Sequence, residues 1–236
     1  MSLNVDRTIS PDDGMFAGNL DHYFSCGESA LRVLLEATEL SGTGTPARIL
    51  DFGAGAGRVT RWLKAAFPGS SISCCDIREG DMLFLHALYG AETWTVGSNI
   101  DTLDIPGQYD LIWVGSVITH LSEARTRELI DRLLSACDPG GLLVLSFHGE
   151  FAVERQESTE FKYIDDDRWN DIKRGYNATG YGYADYQGQD GYGISVCSSA
   201  WMSNLVNALP GSRLVLLKAR AWDHHHDVVA IQRQRP

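Results

Sequence analysis

Basic residues are scarce in this sequence: 20 Lys and Arg stand against 31 Asp and Glu, a formal net charge of −11. A nucleic-acid backbone is held by clustered Lys and Arg, so this deficit argues against an RNA or DNA partner. Cysteines are few and unmatched. Cys26, Cys74, Cys75, Cys137 and Cys197 are odd in number and form no C-x-x-C pair, so free thiols in a reducing cytoplasm are expected. No stretch approaches a membrane span, and Met1 to Arg7 hold no apolar core of signal-peptide length, so a cytoplasmic protein with no membrane partner is expected. No Pro/Ser-rich linker divides the 236 residues. Residues 1–236 therefore read as one domain, and a 44% hydrophobic content suffices for a sizeable core.

What the sequence does contain is a glycine-studded turn. In Ile49-Leu-Asp-Phe-Gly-Ala-Gly-Ala-Gly-Arg-Val-Thr-Arg-Trp-Leu63 an apolar strand breaks into alternating glycines and resumes as an amphipathic helix. Gly53, Gly55 and Gly57 lack a Cβ, so the backbone can adopt otherwise forbidden dihedrals and lie directly against a small molecule. Val59, Trp62, Leu63, Ala66 and Phe67 then recur at one-turn spacing until Pro68 and Gly69 stop the helix. The free N–H groups of that helix point at the crevice above the sheet.

A dinucleotide-binding turn reads G-x-G-x-x-G, and its third glycine would fall at position 58, which is Arg58. The rest of the chain alternates strand and helix, the pattern of a parallel sheet covered on both faces. Strands are expected at Ser71–Asp76, Glu92–Gly97, Tyr109–Gly115 and Leu142–Phe147, with helices at about 79–89 and 122–137. Another helix is expected at about Cys26–Leu40. Asp76 lies about 20 residues past the glycines at a strand end, where a carboxylate can accept both hydroxyls of a ribose.

The spacing Asp51-x-Gly53-x-Gly55-x-Gly57 resembles motif I of the class I S-adenosylmethionine-dependent methyltransferases. Tyr109-Asp-Leu-Ile and Pro139-Gly-Gly-Leu-Leu-Val look like the strand-four and strand-five motifs of the same family. From about residue 42 to 148 the order and spacing match, most closely those of the type 11 and type 12 methyltransferase domains. Trp113-Val-Gly-Ser116 and Gly180-Tyr-Gly-Tyr-Ala184 resemble bacterial members often encoded beside glycosyltransferases. The resemblance implies an α/β fold: a doubly wound, mostly parallel seven-stranded Rossmann-like sheet whose C-terminal hairpin, near Arg213–Lys218 and Val228–Ile231, inserts the last strand antiparallel. It implies S-adenosyl-L-methionine as cofactor, held by Asp51, Gly53, Gly55, Gly57, Arg58, Asp76, Ile77, Gly115 and Ser116. The loop after strand three, Ser98, Asn99 and Ile100, would border the adenine, with Ser98 at the usual acidic position and Asn99 reading the amino group. An N-terminal lid, 1–46, would close over the cofactor with Tyr23 nearest.

Residues 150–197 have another texture. Five of the nine tyrosines and six glycines fall between Gly175 and Gly193. Insertions after strand carboxyl ends are where α/β folds place substrate contacts, so this segment reads as a substrate cap bearing Tyr181, Tyr183 and Tyr186, or else as a self-packed surface loop. His224-His-His226 and Asp165-Asp-Asp167 both read as solvated turns without partners at ligand spacing, and no metal is expected.

A sulfonium methyl is already electrophilic, so the protein mainly aligns the nucleophile and excludes water. An alcohol nucleophile also gains from a base, and His120 and His148 stand just past adjacent strands; each also reads as a helix-capping or core histidine. The expected activity is methyl transfer to a small-molecule acceptor, a sugar or glycoconjugate hydroxyl. The alternatives are an NAD-dependent oxidoreductase, weakened by Arg58 and by the lack of a Tyr-x-x-x-Lys pair, and a non-catalytic cofactor-binding protein.

Overall fold

A computed structural model describes residues 3–97, 99–158 and 161–235. Its frame is a seven-stranded sheet built from β1 (Arg48–Phe52), β2 (Ser71–Asp76), β3 (Glu92–Thr95), β4 (Tyr109–Val114), β5 (Cys137–Phe147), β8 (Ser212–Trp222) and β9 (His226–Arg233). The order across the sheet is β3-β2-β1-β4-β5-β9-β8. The first five run parallel, and β9 lies antiparallel between β5 and β8, as expected for the C-terminal hairpin. Chain order reverses between β1 and β4, and at such a switch point loops leave the carboxyl ends of adjacent strands in opposite directions, opening a crevice.

The central strands are apolar on both faces, so both are covered. Ile49, Leu111, Trp113 and Val144 pack under α1 (Leu20–Ser41), α2 (Thr60–Ala66) and α3 (Glu79–Tyr89). Leu50, Ile112, Val114 and Leu143 pack on the other face under α4 (Glu123–Ser135) and α7 (Ser199–Ala208).

Two boundaries differ from the sequence reading. The first helix begins at Leu20 rather than near Cys26, because Asn19 caps it by accepting the His22 N–H at 3.0 Å. The stretch Asp138-Pro-Gly-Gly141 extends β5 instead of forming a loop, with a register shift against β4 near Tyr109 and with Gly140 at φ 91°. Between β5 and α7 the chain folds into α5 (Glu150–Glu157), α6 (Asp166–Thr179) and a separate hairpin of β6 (Tyr181–Asp185) and β7 (Gly193–Cys197). Its own small core joins Ala152, Ile164, Trp169, Ile172, Ile194 and Val196. Asp165 caps α6 by accepting from the Arg168 N–H, and Asp166 and Asp167 fill its first turn, where carboxylates favour the helix dipole. That role accounts for the acidic run.

Candidate active site

The glycine turn is locked onto the neighbouring strand: the N–H groups of Gly53 and Ala54 both donate to the Cys75 carbonyl, at 2.8 and 3.1 Å. Gly53, Gly55 and Gly57 all adopt left-handed φ, at 75°, 52° and 84°. A Cβ on Gly53 would strike Val117 Cγ2 at 2.5 Å and one on Gly57 would strike Leu85 Cδ2 at 2.4 Å, whereas one on Gly55 would enter open space. Close packing thus explains two of the glycines, and Gly55 presents bare backbone to an empty volume. Its N–H donates to Asp76 Oδ2 at 2.9 Å, and the Arg78 N–H donates to Oδ1 of the same carboxylate at 3.1 Å. Beside it Ile77 leaves 67% of its surface exposed, an apolar wall at the rim.

Asp51 stands behind the turn. It is 1% exposed and accepts the Thr60 hydroxyl at 2.6 Å, which ties the strand end to the start of α2. Burial pushes its carboxyl up to about 7, with the Asp76 charge adding to the shift and the Thr60 hydrogen bond opposing it. Tyr23 is likewise packed inward: 2% exposed, it donates to Asp13 Oδ2 at 2.6 Å and accepts from Arg61 at 3.2 Å. Arg61 also donates to the Asp6 and Thr8 carbonyls, so the expected lid is strapped to α2, with the Tyr23 hydroxyl occupied by protein.

On the other side of the crevice Ser116 holds φ 62°, unusual for a residue with a Cβ, and its N–H donates to Ser146 Oγ at 2.8 Å. A Cβ on neighbouring Gly115 would approach the rings of Trp113 and Trp222 at 3.0 and 3.1 Å. Arg58 projects toward the same Trp222 ring, 5.6 Å from its centroid. Ser98 lies outside the described residues. Asn99 spends its side-chain oxygen on the Asp101 N–H at 3.0 Å, and Ile100 is buried. A recess of about 340 Å³ opens beside this loop between Trp94, Val96, Leu103 and Pro106, while a second of about 530 Å³, near Leu35 and Phe67, lies away from the glycine turn.

The two expected bases both face carbonyls of β7. His120, in the short 3-10 turn Ile118–His120 after β4, faces the Gly193 carbonyl through Nδ1 at 2.8 Å. A carbonyl only accepts, so Nδ1 carries the proton and Nε2 keeps its lone pair. Burial lowers the pKa of this imidazole below its ordinary 6.5, against the opposing pull of that hydrogen bond. Tyr192 stacks on His120 at 4.8 Å and Tyr186 tilts against it at 6.1 Å. His148 is 4% exposed, and its Nδ1 faces the Ser195 carbonyl at 3.1 Å. Burial, then the neighbouring His225, pushes it down to about 3.

Three sequence-level readings change at this point. Tyr181 is 5% exposed and its hydroxyl is engaged by the Leu121 carbonyl and Thr126, both at 2.8 Å, so it has no free group for a substrate. Tyr183, half-buried, donates its hydroxyl to Asp185. The histidine run is solvated only at His224. His225 and His226 are half-buried and turn toward His148, so the three offer ligand atoms within 4.8 Å of one another. Tyr192, Tyr163 and the His225/His226 pair are the additions that sequence reading missed.

Residues 50–143 match the family model described as a methyltransferase domain. Over that segment the chain is similar to methyltransferase domains. Beyond the matched segment the same fold continues: a structure of an S-adenosylmethionine-dependent methyltransferase from Clostridium acetobutylicum superposes with a TM-score of 0.61 at 10% identity, covering 88% of this chain and 92% of that one. A plantazolicin methyltransferase solved in complex with SAH gives 0.58 at 13% identity, over 91% and 88%. In sequence, the human N-terminal Xaa-Pro-Lys N-methyltransferase 1 is 31% identical over 142 residues, and the giant panda (Ailuropoda melanoleuca) protein is 30% identical over 141. Each alignment takes in 56% of this chain and spans 62% of the relative. The residues at the glycine turn fit S-adenosylmethionine, with bare backbone at Gly55, a carboxylate at Asp76 and an exposed apolar side chain at Ile77.

Proposed function

We propose that this protein transfers a methyl group from S-adenosylmethionine to a hydroxyl of a small sugar or glycoconjugate. The observation that carries the cofactor reading is the open space over Gly55, bounded by the Asp76 carboxylate and by exposed Ile77. The bound cofactor supplies an electrophilic sulfonium methyl. This chain supplies position and a proton acceptor: His120 has its tautomer set by the Gly193 carbonyl, and its lowered pKa keeps Nε2 bare near neutral pH. Residues 150–197 act as the cap, with Tyr186 and Tyr192 of the hairpin turn beside His120. Aromatic faces beside a base suit a sugar, whose C–H faces stack while its hydroxyls seek hydrogen bonds.

A second reading is methylation of a peptide α-amine, favoured by the 30–31% identity to the N-terminal Xaa-Pro-Lys enzymes. Methyl-labelled S-adenosylmethionine offered with nucleotide sugars and glycosides, and separately with Xaa-Pro-Lys peptides, decides between them. Label in the sugar fraction is expected; label confined to peptide would replace the acceptor and keep the cofactor reading.

A further inference from the structure

His148 lies just past β5, and His225 and His226 stand 77 and 78 positions later at the β8–β9 turn. The fold brings one ligand atom of each within 4.8 Å of the others. The rings are in edge or tilted contact, His148 with His226 at 4.8 Å, His225 with His226 at 4.8 Å and His148 with His225 at 5.8 Å. We propose that these three histidines form a binding site for a divalent transition-metal ion of the zinc type.

The hydrogen bonds around the cluster are those that prepare imidazoles as ligands. His148 Nδ1 faces the Ser195 carbonyl, which directs the Nε2 lone pair away from the backbone. His226 Nδ1 faces Ser146 Oγ at 3.2 Å, a hydroxyl able to accept its proton and leave Nε2 to an ion. His225 exchanges one of two partners for the ion: the Tyr163 hydroxyl at 2.6 Å or the Arg155 guanidinium at 3.3 Å. The Arg155 and Arg220 charges oppose a cation here, and Asp223 offsets them. Burial keeps all three rings uncharged near neutral pH, the form that binds metal.

The turn that carries His225 and His226 is tight. Arg220, Asp223 and His224 all hold left-handed φ near 53°, and β8 slips register between Lys218 and Trp222. Asp223 and His224 are the two central residues of the tight turn closed by the His225 N–H donating to the Trp222 carbonyl at 3.0 Å, and type I′ hairpin turns require positive φ at both. Tetrahedral zinc with nitrogen ligands at about 2.0–2.1 Å needs N···N separations of about 3.3 Å, so the rings close by rotation when the ion enters. Neutral imidazoles suit Zn, Cu, Fe or Ni rather than the oxygen-seeking Mg or Ca. Three protein ligands leave a fourth position for water or for an acceptor oxygen; that last role rests on the methyltransferase reading.

Binding of the metal alone tests the site apart from that reading. The full chain is stripped with EDTA, dialysed and titrated with Zn²⁺ against a chromogenic chelator, with Co²⁺ absorption as the geometric readout and circular dichroism as the check on folding. One equivalent per chain is expected, with affinity reduced about 100-fold or more in His148→Gln and in His225→Gln and unchanged in His224→Gln. Absence of saturable binding overturns the site. So does wild-type affinity in either His148→Gln or His225→Gln, or equal loss in His224→Gln, since each of these means chelation by the exposed run alone. If His148→Gln does not fold, His225→Gln, on the half-buried turn, carries the decision.

Discussion

Replacing Asp51 with Asn perturbs a single buried proton, and its effect on stability can be worked out in advance. The carboxyl is 1% exposed and raised from 3.8 to about 7, first by burial and then by the Asp76 charge, while Thr60 pulls the other way. The folded protein therefore binds this proton more tightly than the unfolded chain. The stabilisation is fully present below about pH 4 and is lost as pH rises through the folded value near 7. At about 1.4 kcal/mol per pH unit over some three units, the group costs the wild type about 4 kcal/mol between pH 4 and pH 8. Asn has no proton to lose and keeps an oxygen to accept from Thr60. Urea unfolding at intervals from pH 4 to 8 is expected to show Asp51→Asn gaining on the wild type by that amount, with other titrating groups cancelling in the difference. Parallel curves with no widening gap would refute the assignment of a protonated, structural Asp51.

Arg61 is 1% exposed and its guanidinium bonds Gly57, Asp6, Thr8 and Tyr23, so Arg61→Met is expected to destabilise the fold by about 3 kcal/mol in urea; a loss under 1 kcal/mol would mean that water replaces those bonds freely. His120→Ala is expected to lower methyl transfer by about 10²–10⁴ while leaving affinity for S-adenosylhomocysteine intact, and near-normal turnover would leave alignment alone to carry the reaction. Because burial lowers the His120 pKa, the wild-type rate is expected to stay level through pH 7 and to fall only below the ordinary 6.5, as the imidazole gains its proton. A rate already falling between pH 8 and 7 would point to another base.

The half of the fold around the glycine turn was legible because its signals are local. Gly53, Gly55 and Gly57 announce left-handed turns by composition, and Asp76 follows at the spacing that one βαβ unit dictates. The final hairpin was legible for the same reason, as two apolar runs with a turn between them. What stayed hidden depends on distant partners. Tyr181 reads like its neighbours Tyr183 and Tyr186 until α4 brings Thr126 to its hydroxyl. His225 and His226 read as solvated because their partner His148 is 77 positions away and no spacing rule joins them. Tyr23 was expected over the cofactor, and the buried Arg61 that bonds its hydroxyl and the Thr8 carbonyl belongs to another element. Residues 150–197 hid two helices because their apolar positions serve a small core of their own rather than the main sheet.

The cofactor assignment puts S-adenosylmethionine in the crevice above Gly55 and Asp76. Calorimetry with S-adenosylhomocysteine and with NAD, on the wild type and on Asp76→Ala, tests it most directly. Asp76 would offer two charge-assisted hydrogen bonds to a ribose, each worth about 1.5–3 kcal/mol, so the substitution is expected to weaken S-adenosylhomocysteine binding by about 30-fold or more, with no NAD binding to either protein. Binding of NAD in place of S-adenosylhomocysteine, or an affinity that Asp76→Ala leaves unchanged, would contradict S-adenosylmethionine binding at Asp76.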